Sequence, residues 1–299
     1  MKLCSFLDPS GAHRIGVVSE RGIVDVTEQV PSTGAGSPMR RLLAADTDLS
    51  TVNSDGPVVT TARLLAPVPD PTKIVAAPVN YRDHQVEMSQ DSHIDSLGVF
   101  LKAPSSLTGD SELVELPYHD RRFDQEGELA VVIGRRATHV PAENALDHVA
   151  GYTCLLDMTM RGGEDRSVRK SFDTFTPAGP HLVTPDDVGP LDQLELHTWV
   201  GGTLRQRADL RDLIWNVPAL IAYVSSVMAL EPGDIVATGT PAGVGQVQDG
   251  EDVTVEITNI GRLSVTVTDN GAVACPTRGK DKGPKPPAEL TPVVERTQN

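Results

Sequence analysis

The sequence predicts a mainly β chain with some α, folded as a mixed β-roll or β-sandwich preceded by a small β-rich unit. Three observations carry this expectation. Apolar residues fall mostly in short Val/Ile-rich runs, whose branched side chains suit pleated surfaces. Aromatic residues make up only 4% of the chain, so its core must be built from Val, Leu, Ile and Ala. A single segment has sustained helical spacing, and helices do not alternate regularly with strands, which disfavours a doubly wound parallel sheet. With 299 residues, 39% of them hydrophobic, the chain can bury one large core and a smaller one.

The elements follow in order. Residues 1 to 66 read as the small unit: Ile15–Val18 and Ile23–Val26 flank the turn Ser19–Gly22, and a short helix is expected over Met39 to Ala45. Three prolines between Pro67 and Pro71 mark a stiff boundary. The larger unit, 67 to 270, opens with the apolar run Lys73–Ala77, and Asn80 to Met88 reads as a helix start or an ordered lid. Further strands are expected at Val99–Leu101, Glu128–Ile133, Gly151–Leu156, Leu194–Val200, Asp234–Thr238, Asp252–Ile257 and Gly261–Val267. The one convincing helix runs from about Asp212 to Ala229, with Leu213, Ile214, Val217, Leu220, Ile221 and Val224 on its apolar face. From Gly271 periodicity is lost, and the charged, Pro-rich stretch Lys280–Pro287 predicts a disordered tail over 271–299.

A formal net charge of −15 repels phosphate backbones and argues against a nucleic-acid partner. An anionic ligand would then need local positive charge, from a metal or converging Lys and Arg. Cys4, Cys154 and Cys275 are isolated, with no CxxC spacing, and predict neither a disulfide framework nor a Cys-based zinc site. No apolar run reaches the roughly 18 residues of a membrane span. The N-terminal stretch Met1–Asp8 reaches a charge too soon for a signal peptide, so a cytoplasmic location is expected.

Candidate chemistry begins at Asp124-Gln125-Glu126-Gly127-Glu128. Glutamates two apart at a strand mouth project to one face, and the glycine between them admits close approach. Alone, such a pair is more often two surface acids. Asp157, however, ends a second apolar run, and three converging oxygens suit Mg²⁺ or Mn²⁺, with Ca²⁺ also admissible, better than zinc. His84 and Glu87 sit at i, i+3 on one helical face, where a carboxylate would orient an imidazole as general base. An ordinary exposed pair is the plainer alternative. Lys102 at a strand end, and Lys170 before the rigid turn Pro177–Pro180, are either solvated lysines or groups that offset developing negative charge. The loop Thr238–Gly245 lacks a P-loop lysine and reads as a tight turn or a carboxylate-binding loop.

Taken together, NYRDHQVE, VFLKAPSS, DQEGELAVVIG, GYTCLLDMTMR, RKSFDTFTPAGP and LEPGDIVATGTPAGVG, in that order from about Lys73 to Val267, resemble the fumarylacetoacetate hydrolase family. The resemblance implies a roll-like catalytic domain behind a small N-terminal domain, in a homodimer. It implies that Glu126, Glu128 and Asp157 bind metal and that His84 and Glu87 activate water. It also implies that Lys102, Arg161, Lys170 and Thr240 bind substrate or stabilise an enolate, with Tyr81 and Gln206 on the pocket wall. One departure stands out: Glu164 lies three residues past Arg161, where many members carry a glutamine that contacts substrate. The reaction implied is metal-dependent hydrolysis of a C–C bond in a small 2,4-dioxo acid of the acylpyruvate or fumarylpyruvate type. An oxaloacetate-type decarboxylase or a hydroxymuconate-type isomerase is the alternative on the same site, and a non-catalytic binding protein the remote one.

Overall fold

The computed structural model describes residues 1–293. Among these residues the largest sheet has twelve strands. Its spatial order runs Val58–Val59, Gly22–Asp25, His13–Ser19, Lys2–Leu7, Thr176–Val183, Val149–Leu156, Gly127–Ile133, Ile235–Ala237, Ile74–Ala76 and Phe100–Lys102, with two short strands off this path. A second sheet orders Thr203–Asp209, Glu195–Val200, Asp252–Ile257, Gly261–Thr268 and Leu113–Glu115.

The apolar run Gly127–Ile133 is buried at every position because both of its faces are covered. Leu129, Val131 and Ile133 join Tyr152, Cys154 and Leu156 in a core shared with Leu196, Val200, Val253 and Val255 of the second sheet. Each such Leu, Ile or Val contributes about 1.5–3 kcal/mol by leaving water. The opposite face is lined by smaller residues: Ala76, Ala130, Ala178 and Ala237 with Leu155. Glu126, Glu128 and Asp157 continue the alternation of Ala130 and Leu155, so they project over this small-residue face.

The N-terminal residues share the large sheet. Lys2–Leu7 pairs antiparallel with Thr176–Val183, placing Leu3 opposite Leu182. Leu3, Ile15, Val24, Met39 and Leu42 then pack with Val132, Ala150 and Leu182. The principal helix spans Val217–Val227, shorter than the periodicity suggested. Asn216 accepts the Ala219 N–H and Pro218 sits in the first turn, and these fix the start; Leu210–Asp212 forms a separate short turn.

Pro177–Pro180, expected as a rigid turn, lies instead inside the strand Thr176–Val183. Ala178 and Gly179 pair with Leu155 and Cys154 where the register slips, and such an irregularity accommodates prolines that cannot donate to the ladder. Residues 271–293, expected as a disordered tail, carry no helix or strand but follow a bonded course. Val273 bridges Tyr118, the Cys275 N–H donates to Asp120, and Thr277 bonds Glu164. Residues 294–299 of that tail lie outside the described part. Among the described residues no helix is long and apolar enough to cross a membrane.

Candidate active site

Glu126 and Asp157 face each other across adjacent strand ends, with the Asp157 N–H donating to the Glu126 carbonyl at 2.8 Å. Like charges directly opposite repel, so this register demands a cation. Glu128 completes the group: one oxygen from each of the three buried side chains lies within 4.8 Å of the others. The spacing is held by Gly127, where a Cβ would come 2.1 Å from Thr198 Oγ1 and 3.3 Å from Gln206 Oε1.

Cations meet two of the three carboxylates. Lys170 Nζ donates to Glu126 Oε2 at 2.7 Å, Asp157 Oδ2 at 2.5 Å and Thr159 Oγ1 at 2.7 Å. Lys102 Nζ bonds Asp157 Oδ1, and the Phe175 carbonyl at 2.8 Å. Burial pulls Lys102 below the usual lysine value, against the Asp157 charge. Arg161 reaches Asp124 Oδ2 at 2.6 Å and Glu126 Oε1 at 2.7 Å. Burial would raise the Glu126 carboxyl, yet Lys170, Arg161 and His84 hold it well below the ordinary range.

Glu128 differs. It accepts the Gly239 N–H at 2.7 Å and forms no ion pair among the described residues. Burial and the neighbouring Asp157 charge drive its pKa well up. A buried carboxylate without a countercharge, beside two more oxygen donors and no sulfur or nitrogen ligand, fits a hard divalent cation. Oxygens opposite each other on such an ion lie roughly 4.2 Å apart, close to the observed spread. The residues therefore suit Mg²⁺ or Mn²⁺.

The base pair sits on the helix Arg82–Glu87, where His84 Nδ1 and Glu87 Oε2 are 2.9 Å apart and both side chains are buried. Glu87 Oε1 takes the Gly243 N–H at 2.8 Å and the Thr291 hydroxyl at 2.7 Å. The loop Thr238–Gly245 thus does bind carboxylates, but they are the chain's own Glu128 and Glu87. Tyr81 precedes this helix. Its hydroxyl is buried without a hydrogen-bond partner among the described residues, and burial and the Glu128 charge raise its pKa. An orphaned donor beside the carboxylates suits a ligand oxygen.

Gln206 accepts the Gly127 N–H at 2.9 Å and donates to Thr240 Oγ1 at 2.7 Å and the Pro241 carbonyl at 2.9 Å. It braces Thr240 and the strand mouth. Glu164 stands apart from the expected pocket contacts: its carboxylate binds Arg121 at 2.7 Å and Thr277 in the tail, and bonds none of the three carboxylates' partners. The local signal that misled is the sequence offset from Arg161, since Gly162 and Gly163 turn the chain toward Arg121 and the tail. Sequence reasoning passed over Asp124, which pins Arg161, and Arg169, which is 4% exposed.

A cavity of about 1070 Å³ opens beside Glu87. Arg82, Arg205, Arg207 and Arg211 line it, together with Pro287, Thr291 and Pro292 of the tail.

Similarity to known proteins agrees with the geometry. The fumarylacetoacetate hydrolase C-terminal family matches residues 73–268. A maleylpyruvate hydrolase of Aquipseudomonas alcaligenes is 41% identical over 288 residues, covering 89% of this chain and 99% of that protein. An oxaloacetate tautomerase of Bacillus subtilis is 40% identical over 218 residues, covering 68% and 72%. The crystal structure of maleylpyruvate hydrolase from Sphingobium sp. SYK-6, in complex with manganese(II) and pyruvate, superposes with a TM-score of 0.76 at 38% identity, covering 90% of this chain and 99% of that one. The carboxylate centre and these matches together place the chain among the enzymes of the fumarylacetoacetate hydrolase family.

Proposed function

We propose that the protein is a Mg²⁺- or Mn²⁺-dependent hydrolase that cleaves a C–C bond in a small 2,4-dioxo acid, an acylpyruvate. The observation that carries this reading is the buried His84–Glu87 pair beside the carboxylate centre. Decarboxylation needs only an electron sink; tautomerisation needs a base for the C3 proton and hydrolysis a base for water, and the pair supplies that base. The names of the maleylpyruvate hydrolases support the same reading.

Glu126, Glu128 and Asp157 would hold a divalent cation, which would supply Lewis acidity toward the substrate's oxygens. Glu87 fixes the imidazole through Nδ1, leaving Nε2 to take a proton from water. That water attacks the C4 carbonyl, the C3–C4 bond breaks, and the electron pair leaves with the pyruvate fragment as its enolate. The ammonium of Lys170 offsets the enolate charge, and His84 returns the proton to C3. The Tyr81 hydroxyl donates to a substrate oxygen, and Thr240, braced by Gln206, lines the same pocket. The family expectation of a homodimer remains part of this proposal.

Acetylpyruvate, oxaloacetate and a hydroxymuconate-type diacid should be offered to the wild type with and without Mg²⁺. Metal-dependent release of pyruvate plus a carboxylic acid is the expected result. Tautomerisation or CO₂ release without C–C hydrolysis would replace the hydrolase assignment. His84→Ala should remove hydrolysis more severely than hydrogen exchange at C3 of a bound 2-oxo acid.

A further inference from the structure

Arg169 is the buried cation near the centre that no carboxylate of the described residues neutralises. It ends the short helix Arg166–Arg169, which packs on the strand carrying Lys102, and it precedes Lys170, whose Nζ sits on Glu126 and Asp157. Only 4% of Arg169 is exposed. Its Nε and Nη1 have no hydrogen-bond partner, and no carboxylate pairs with it among the described residues. An uncompensated buried guanidinium is strongly unfavourable, so such a group points to an occupant.

The other cations of the centre are engaged. Lys102 is on Asp157, Lys170 on Glu126 and Asp157, and Arg161 on Asp124 and Glu126. Burial and the nearby Arg161 charge push the Arg169 pKa down, while Glu126 and Asp157 pull it up, as expected of a group that borders the centre. No carboxylate of the described residues fills that role, which leaves it open to an anion brought by the ligand. A planar fork with free N–H groups matches a carboxylate in bidentate fashion.

We propose that Arg169 is a specificity-determining residue that receives a second, distal carboxylate of the substrate, so that the enzyme prefers 2-oxo diacids to 2-oxo monoacids. The assignment rests on the reading of the carboxylate centre as a 2-oxo acid site. The 2-oxo end is held at that centre, and the distal carboxylate displaces water to meet Arg169. A monoacid of equal length leaves the guanidinium unpaired and forfeits the charge-assisted hydrogen bonds.

The test is calorimetric binding to the full-length, Mg²⁺-loaded protein. 2-Oxoglutarate and 2-oxoadipate are compared with the chain-matched 2-oxopentanoate and 2-oxohexanoate, in wild type, R169K and R169M. The wild type should bind at least one diacid ten-fold or more tighter than its matched monoacid. R169M should erase that preference while leaving monoacid binding within about three-fold, and R169K should restore it only in part. R169M should also melt no lower than wild type without ligand, because it removes an unpaired buried charge; a merely structural arginine would not behave so. Wild-type binding of monoacids without diacid preference, or a preference that survives R169M, overturns the Arg169 assignment and leaves the 2-oxo acid reading intact. Failure of every acid to bind overturns both.

Discussion

Thr291 donates its hydroxyl to Oε1 of Glu87 at 2.7 Å, across 204 residues of sequence. A segment with no periodicity of its own therefore reaches the carboxylate that orients His84. One hydrogen bond to a charged group contributes about 1.5–3 kcal/mol, and the lower end of that range corresponds to roughly ten-fold in rate. Thr291→Val should lower kcat about two- to ten-fold, and removing residues 286–299 should lower it further by stripping Pro287 and Pro292 from the cavity mouth. Unchanged steady-state constants in both variants would make the contact incidental to turnover.

Glu128 gives a prediction with opposite signs for stability and activity. Its carboxyl is driven up by burial and by Asp157, so the ionised side chain is a burden without a cation. Glu128→Gln should raise the melting temperature of the metal-free protein by roughly 2–4 °C, the effect of about 1 kcal/mol in a chain of this size. The same variant should bind Mn²⁺ far more weakly and lose turnover. Paramagnetic broadening of solvent water by free against bound Mn²⁺ reads the binding; undiminished Mn²⁺ affinity would remove Glu128 from the ligand set.

Lys170 joins Glu126, Asp157 and Thr159 through a single nitrogen. Breaking a buried pair from one side costs about 3–5 kcal/mol. Lys170→Met should therefore lower the melting temperature of the metal-free protein markedly, and added Mg²⁺ should recover more of that loss than it adds to the wild type. Loss of an electrostatic partner for a developing enolate predicts a fall in kcat of about 10²–10³. Differential scanning calorimetry with and without Mg²⁺, beside kinetics, checks both parts.

Acid should release the tail. Hydrogen bonds from Arg121 hold the Glu164 carboxyl at about 2, below its ordinary 4.5, with Thr277 adding to the effect. A folded pKa below the unfolded one gives stabilisation that is complete above pH 4.5 and is lost as pH falls toward 2. Hydrogen exchange of residues 271–293, corrected for intrinsic rates, should accelerate across this window while the strand Gly127–Ile133 stays protected. Glu164→Gln should show the accelerated pattern at neutral pH. Equal tail protection in that variant would place the anchoring elsewhere.

Much of this was legible in sequence, for physical reasons that differ by element. Apolar runs buried on both faces, such as Gly127–Ile133 and the strand ending at Leu156, announce themselves, and an acid at the end of each is conspicuous. Helical spacing brought His84 to Glu87 without tertiary information. The strand Thr176–Val183 was missed because prolines interrupt it and its partner Lys2–Leu7 is distant in sequence. Lys2–Leu7 and Thr203–Asp209 pair with adjacent strands but carry charged and polar residues that blur the alternation. Glu164 was misplaced because an offset from Arg161 says nothing of where the chain turns after Gly162. Arg169 was invisible because burial of a charged side chain leaves no mark in the residues around it.

Gly127 has a meaning for anyone who would rebuild this centre around another ion. The gap between its two flanking glutamates is not an adjustable parameter: any side chain at 127 collides with Thr198, whose hydroxyl itself lacks a partner among the described residues. Single substitutions at 127 are thus a closed door, while Thr198→Gly with Gly127→Ala is the two-key route through it. Retuning by one change at a time must instead start from Asp157, on the neighbouring strand. The donor atoms call for a hard divalent cation, and the gap it must fill is set by a glycine that can change only if a threonine changes first.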